Sequence, residues 1–239
     1  MIRGIAILLM VIYHFVFDLT FFGYYGVNVF AGPWRVFGRI PAVLFLLLVG
    51  MALAIGENRA EAKGSNVQSR SYVVRGLKIF GWGMVITIVS WLYIGQPVIL
   101  FGILHLIGIA TILAIPFLRH RHPEIWLLLG FALIAAGLRL NANPVETPWL
   151  MFLGLVPAGL FQLDYFPLLP WFGVVLTGVG LGQLLFPGGL RRLELPDWGE
   201  VFGLRQLAWM GRQSLLIYLV HQPVLFFMLY LLHSFPTAG

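Results

Sequence analysis

The sequence has no cysteine and little charge. With Cys at 0, disulfides, thiolate metal sites and an acyl-cysteine intermediate are all excluded. Charged residues make up 10% of the 239, hydrophobic ones 60%, and the mean hydropathy is +0.92. No soluble domain of this size hides so much apolar surface, so the composition is that of a polytopic membrane protein. Acidic residues number 9 against 15 Lys and Arg, for a net charge of +6. That imbalance would suggest nucleic acid, but the basic residues are dispersed between apolar runs and follow membrane topology instead. The polar stretches Gly56–Ser71 and Pro187–Gly211 hold no phosphate-binding glycine motif, and there is no tandem repeat at short period. The first segment lacks a small-x-small cleavage site and carries His14 and Asp18, which argues against a signal peptide.

A bilayer core needs about 20 apolar residues in a helix. About seven segments approach this length: Ile2–Phe22, Ile40–Ile55, Tyr72–Ile94, Val98–Leu118, Glu124–Leu140, Pro167–Phe186 and Ser214–His233. Trp149–Phe161 is apolar but short and holds Pro157, so it reads as an interfacial or re-entrant segment. One side of the membrane receives Arg3, Arg59, Lys63, Arg70, Arg75, Lys78, Arg119, Arg121, Arg191, Arg192, Arg205 and Arg212. The other receives Arg35, Arg39 and Arg139. The expected fold is therefore an all-α transmembrane bundle, one domain over residues 1–239, with a cytoplasmic N-terminus and an external C-terminus. A multi-pass protein of the inner (cell) membrane follows from it.

Ionisable groups inside such helices point to function. A central Asp costs roughly 2.5–3.5 kcal/mol even on the lenient insertion scale, so it faces a bundle interior or a water-filled cavity. Helical rise puts His14 ~16 Å from Arg3, near mid-membrane, and Asp18 follows at i+4 on the same stripe. His105, eight residues past Pro97, falls ~12 Å from the outer edge, and His221, nine past Arg212, ~13 Å from the inner edge. His14, His105 and His221 thus come from separate helices to one central layer, where each is either a catalytic group or a histidine satisfied by a neighbouring carbonyl. Pro223 gives no N–H to the carbonyl of Leu219, so polarity beside His221 has a use. His120, His122 and His233 lie at helix ends and read as interfacial.

Arg3–Val11 opening the first helix, with polar His14 after it, resembles the catalytic domain of heparan-alpha-glucosaminide N-acetyltransferase, and most of all that family's short bacterial members. Leu46–Gly50, Gly102–Gly108, Asp164–Gly173 and Gly211–Pro223 extend the resemblance in order along the chain. It implies acyl transfer across a membrane, with acetyl-CoA or another acyl-CoA as cytoplasmic co-substrate and a sugar amine or hydroxyl as acceptor on the far side. It departs from the lysosomal enzyme in the loop Gly23–Gly38, which lacks that enzyme's catalytic histidine and carries Tyr24, Tyr25 and Asn28 in the acceptor region instead. His14 stands where the lysosomal enzyme has an asparagine. The short run that usually precedes Arg3-Gly4 in that family is missing, as expected of a chain that begins late or has been trimmed.

Acyl transfer from a thioester needs a base for the acceptor and a donor for the oxyanion. Without cysteine, direct attack with a histidine base is the simplest route, and an acyl-histidine intermediate is the second. In the expected site His14 is the base, Asp18 orients it, and His105 or His221 polarises the carbonyl. Arg3, Arg75, Lys78 and Arg212 are the cytoplasmic cations available to CoA phosphates, although topology alone accounts for their charge. Asp164 is either a rim of the acceptor site or the cap of the sixth helix. No metal is expected. Two other readings use the same buried groups: a proton-coupled transporter built on His and Asp, and a b-type haem protein with two of the histidines as axial ligands. The partners are the lipid bilayer, acyl-CoA and a small-molecule or glycan acceptor, not nucleic acid; a homo-oligomer is compatible with all of this.

Overall fold

The computed structural model describes residues 1–93, 98–142, 145–157, 159, 164–190, 192 and 202–234. Long apolar runs with few helix breakers give α1 (Ile2–Phe21), α2 (Gly32–Glu61), α3 (Ser69–Tyr93), α6 (Pro123–Asn141), α7 (Leu168–Leu185) and α9 (Ser214–Ser234). These 6 are long and apolar enough to cross a membrane. Shorter helices are α4 (Ile103–Leu113), α5 (Ile115–Arg119) and α8 (Phe202–Arg212), with 3-10 turns at Pro148–Leu153 and Pro187–Gly189. Among the described residues the only strand-like pairing is an isolated bridge between Val145 and Pro157. The fold is all-α, a multi-pass membrane protein.

The structure differs from the sequence reading at three places. The expected span Val98–Leu118 becomes helical only at Ile103 and breaks at Ala114. Pro116, which has no N–H to offer the carbonyl of Ile112, accounts for the break. Residues 98–102 are non-helical, and Ile99 is held by side chains of α3: Ser90 Oγ accepts from its N–H at 3.1 Å, and the Thr87 hydroxyl donates to its carbonyl at 2.6 Å. Second, α2 starts at Gly32 rather than Ile40, carrying Arg35 and Arg39 on its first turns and Pro41 inside. Third, the expected polar loop Pro187–Gly211 contains α8. Its mix of Arg, Gln and aromatics hid a helix that hydropathy alone does not reveal. Arg191, Pro97 and Phe161, on which parts of the sequence reading rest, lie outside the described residues. Trp149–Leu153 is no span; its 3-10 turn is tied down by the Tyr165 hydroxyl on the Met151 carbonyl, and burial pushes that hydroxyl up to about 12, so it remains a donor.

The described residues form two compact units: residues 1–45 with 195–239, and residues 46–194. In the second, α7 is buried along most of its length, and Leu53, Ala54, Tyr72, Ala114, Leu118, Leu176 and Val179 form a core cluster. In lipid, helices associate through close packing rather than hydrophobic exclusion, so small residues mark the contacts. A Cβ on Gly76 would meet the Gly108 carbonyl at 2.6 Å and one on Gly108 the Gly76 carbonyl at 2.7 Å, which joins α3 to α4 backbone to backbone. Gly130 and Gly173 do the same for α6 and α7, and Gly50 and Gly178 seat α2 on α7. Gly178→Ala would press a methyl into the Leu47 backbone. It is expected to lower stability by about 1–3 kcal/mol in a detergent melt, because backbone cannot yield as a side chain can. Gly56→Ala, where a Cβ meets nothing, is the control and should melt unchanged.

The same unit gathers its basic loops at one end. Arg121 Nε donates to Glu61 at 2.8 Å, Arg119 Nη2 to Ser69 Oγ at 2.7 Å, and Gln183 Nε2 to the carbonyls of Phe117 and His120. α4 and α5 therefore run from the C-terminal end of α3 back to the Arg59–Ser69 end. A reporter inserted after Arg121 is expected to be cytoplasmic, like one inserted after Lys63; opposite locations for the two would show that α4 and α5 do not cross.

Candidate active site

In the first unit, α1 and α9 bring His14, Asp18 and His221 together. The Cα–Cβ bonds of a helix tilt toward its N-terminus, so a histidine can reach a carbonyl one turn back. His14 Nδ1 lies 2.9 Å from the Met10 carbonyl, and His221 Nδ1 lies 2.7 Å from that of Tyr218 and 3.2 Å from that of Ile217. Only a protonated nitrogen bonds a carbonyl, so both neutral rings carry their hydrogen on Nδ1 and leave Nε2 as an acceptor. The two rings meet edge to face, centroids 4.8 Å apart at 75°. Rings in direct contact leave no room for a macrocycle between them, which removes the His14–His221 form of the haem reading.

The expected His14–Asp18 pair is not formed. His14 Nδ1 is committed to its own helix, and the fully buried Asp18 accepts instead from Gln222 Nε2 at 2.7 Å. Asp18 Oδ2, Gln222 Oε1 and His221 Nε2 are enclosed without a hydrogen-bond partner in the protein. Apart from the second hydrogen of Gln222 Nε2, the cluster thus presents acceptors. A buried acceptor left unmet costs about 1–3 kcal/mol, so this arrangement favours a ligand that brings hydrogens. The pairing expected at the carbonyl of Leu219 goes one and two residues earlier, to Tyr218 and Ile217.

His105 belongs to the second unit, and so do all the contacts described for it. It sits in the first turn of α4, so a depth counted from Pro97 at helical rise does not apply. Gly83 leaves space for its ring, and Phe80 and Phe101 cover it. The Gly102 N–H donates to Nδ1 at 3.2 Å, which places the proton on Nε2, 3.4 Å from Thr87 Oγ1. Both nitrogens are engaged. Asp164 caps α4, across 61 residues of sequence, rather than the helix it precedes: Oδ2 accepts from the Ile103 N–H at 3.2 Å. Thr87 and Ser90 were missed by the sequence reading because single hydroxyls in an apolar helix carry no pattern.

Tyr24 and Tyr25 are exposed in the α1–α2 loop, and Asn28 Oδ1 accepts from the Phe30 N–H at 3.0 Å. Tyr24 also meets His233 of α9, ring centroids 5.9 Å apart. Of the cations, Arg3 and Arg212 lie in the first unit, where Arg3 flanks the close approach of Gly211 to α1, and Arg75 and Lys78 lie on α3 in the second. Gln222 is the residue of the cluster to which the sequence reading gave no part. Its signal was present in the Gln222-Pro223 step, a polar residue placed where proline loosens a helix.

Residues 1–223 match the family described as heparan-alpha-glucosaminide N-acetyltransferase, catalytic. No curated protein and no solved structure matches the chain.

Proposed function

The chain belongs to the heparan-alpha-glucosaminide N-acetyltransferase catalytic family, and on that premise we propose that it moves an acyl group, acetyl foremost, from cytoplasmic acyl-CoA to an amine or hydroxyl of a sugar-like acceptor at the outer side of the inner membrane. The observation that carries this reading is the cluster of His14, Asp18, His221 and Gln222 inside apolar helices, with three enclosed acceptor atoms left unmet. A nucleophile that must lose a proton fits such a cluster.

In the proposed reaction the acceptor nitrogen or oxygen attacks the thioester carbon, and its proton passes to His14 Nε2. The carbon–sulfur bond breaks, and the CoA thiolate leaves and takes up a proton. His14 is proposed as the base rather than His221, whose Nε2 is enclosed without a partner. The edge of His14 against His221 fixes the ring, and Asp18 with Gln222 holds the acceptor by its remaining hydrogens. His105 is left out of proton transfer, since neither of its nitrogens has a lone pair or hydrogen to spare; it fixes the start of α4. Arg3 and Arg212 of the first unit, or alternatively Arg75 and Lys78 of the second, are the cations proposed for the CoA phosphates, charge-assisted contacts being the strong ones. Tyr24, Tyr25 and Asn28 are proposed to meet the acceptor from outside.

Acyl-CoA binding tests this. At 100 times Kd a ligand specific to the folded state stabilises it by about 2.7 kcal/mol, so acetyl-CoA at millimolar concentration should raise the melting temperature. No shift with acetyl-CoA or with longer acyl-CoAs would favour the proton-coupled carrier.

A further inference from the structure

α8 has two faces that cannot both be explained by packing. Its inner face is Leu207 and Gly211 against α1: a Cβ on Gly4 would run into the Leu207 carbonyl, and one on Gly211 would lie 3.1 Å from the Gly4 nitrogen. Its outer face is a stripe of Phe202, Arg205, Gln206, Trp209 and Arg212, which line one shallow groove. Phe202 is 81% exposed and Trp209 54%. Over Phe202–Arg212 there is no acidic residue, and α8 ends two residues before the membrane helix α9 begins. A helix tied so closely to a span lies at the membrane boundary, and by the distribution of Lys and Arg that boundary is cytoplasmic.

Exposed residues elsewhere, such as Leu215, Val220, Val224 and Phe227 of α9, are apolar without charge. The α8 stripe instead alternates aromatic rings with guanidinium groups, the chemistry of the headgroup layer: rings reach the acyl boundary, and Arg pairs with phosphate. We propose that the outer face of α8 is a docking surface for anionic glycerophospholipid headgroups of the cytoplasmic leaflet, with Arg205 pairing to phosphate and Phe202 and Trp209 seated at the acyl boundary. The surface anchors the helix that packs on Gly4 at the start of α1, ten residues before His14. Arg212 on the same stripe is also one of the cations proposed for CoA, so the lipid proposal rests on Arg205, Phe202 and Trp209, and the acyl-transfer reading stands or falls without it.

Because the chain has no native cysteine, Gln206→Cys takes a single environment-sensitive fluorophore on the stripe. The labelled full-length protein is reconstituted into nanodiscs of phosphatidylcholine with increasing phosphatidylglycerol. The expected result is a saturating blue shift as phosphatidylglycerol rises. Arg205→Gln should weaken that response about five-fold, the worth of one cation near an anionic surface, and Arg205→Lys should largely retain it. Melting temperatures in pure phosphatidylcholine check that the variants fold, and the wild-type response stands as a test even where a variant does not. No response to phosphatidylglycerol, or a response unaltered by Arg205→Gln, would overturn the proposal.

Discussion

Replacing His14 by Ala is expected to lower acyl transfer about 10²–10⁴-fold while the protein remains folded, the range a general base supplies. The side chain bonds only its own helix, so its removal breaks no link between helices beyond the ring contact with His221. The sign of the test lies in the comparison. His221→Ala should cost less, because its Nε2 is enclosed and its part is to hold His14. Turnover measured with both variants at saturating acyl-CoA decides between them. Near-normal turnover in His14→Ala with a dead His221→Ala would exchange the two roles, and normal turnover in both would remove the pair from the reaction.

Gln222→Leu is the second large effect. It takes the only described hydrogen bond from a fully buried carboxyl group. Losing a partner of that kind costs about 1–3 kcal/mol, and more where the group is charged, so the variant should melt lower. Transfer should fall about 10–10²-fold by the same conversion, through a misplaced Asp18. Asp18→Asn keeps shape and retains an oxygen for Gln222, so it should melt near the wild type and still lose transfer, because an amide puts a donor where the cluster presents acceptors. In a double-mutant cycle the two changes should fall short of additive, the mark of groups that act together. Additive losses would mean that Gln222 does not work through Asp18.

The spans were legible because about 20 apolar residues leave few alternatives in a bilayer. What was not legible was where a span stops being helical. Pro116 breaks one helix, while Pro41 and Pro223 sit inside others, and only the neighbouring contacts distinguish them. Of the candidate site, spacing on one helix put His14 and Asp18 on a common stripe, and depth brought His221 to their level. Spacing could not tell that each histidine would bond backward to its own carbonyl, because that choice depends on whether a better partner lies across the helix pair. Asp18 had one in Gln222, from 204 residues away in sequence. His105 shows the same limit. Counted along an ideal helix it lies at mid-membrane, free to polarise a carbonyl, but the chain before it is not helical, and its lone pair goes to the N–H of Gly102. α8 was hidden because an Arg-rich amphipathic helix and a polar loop have the same mean hydropathy.

The central claim is that this chain transfers acyl groups from CoA. The most direct measurement uses the purified chain in proteoliposomes, acetyl-CoA with a labelled acetyl group on the cytoplasmic-facing side, and a panel of sugar amines and alcohols on the other. The account predicts labelled acceptor together with a stoichiometric amount of free CoA thiol, both lost in His14→Ala. Acetyl-CoA left intact with every acceptor, while a pH gradient drives acceptor flux across the same vesicles, would contradict it.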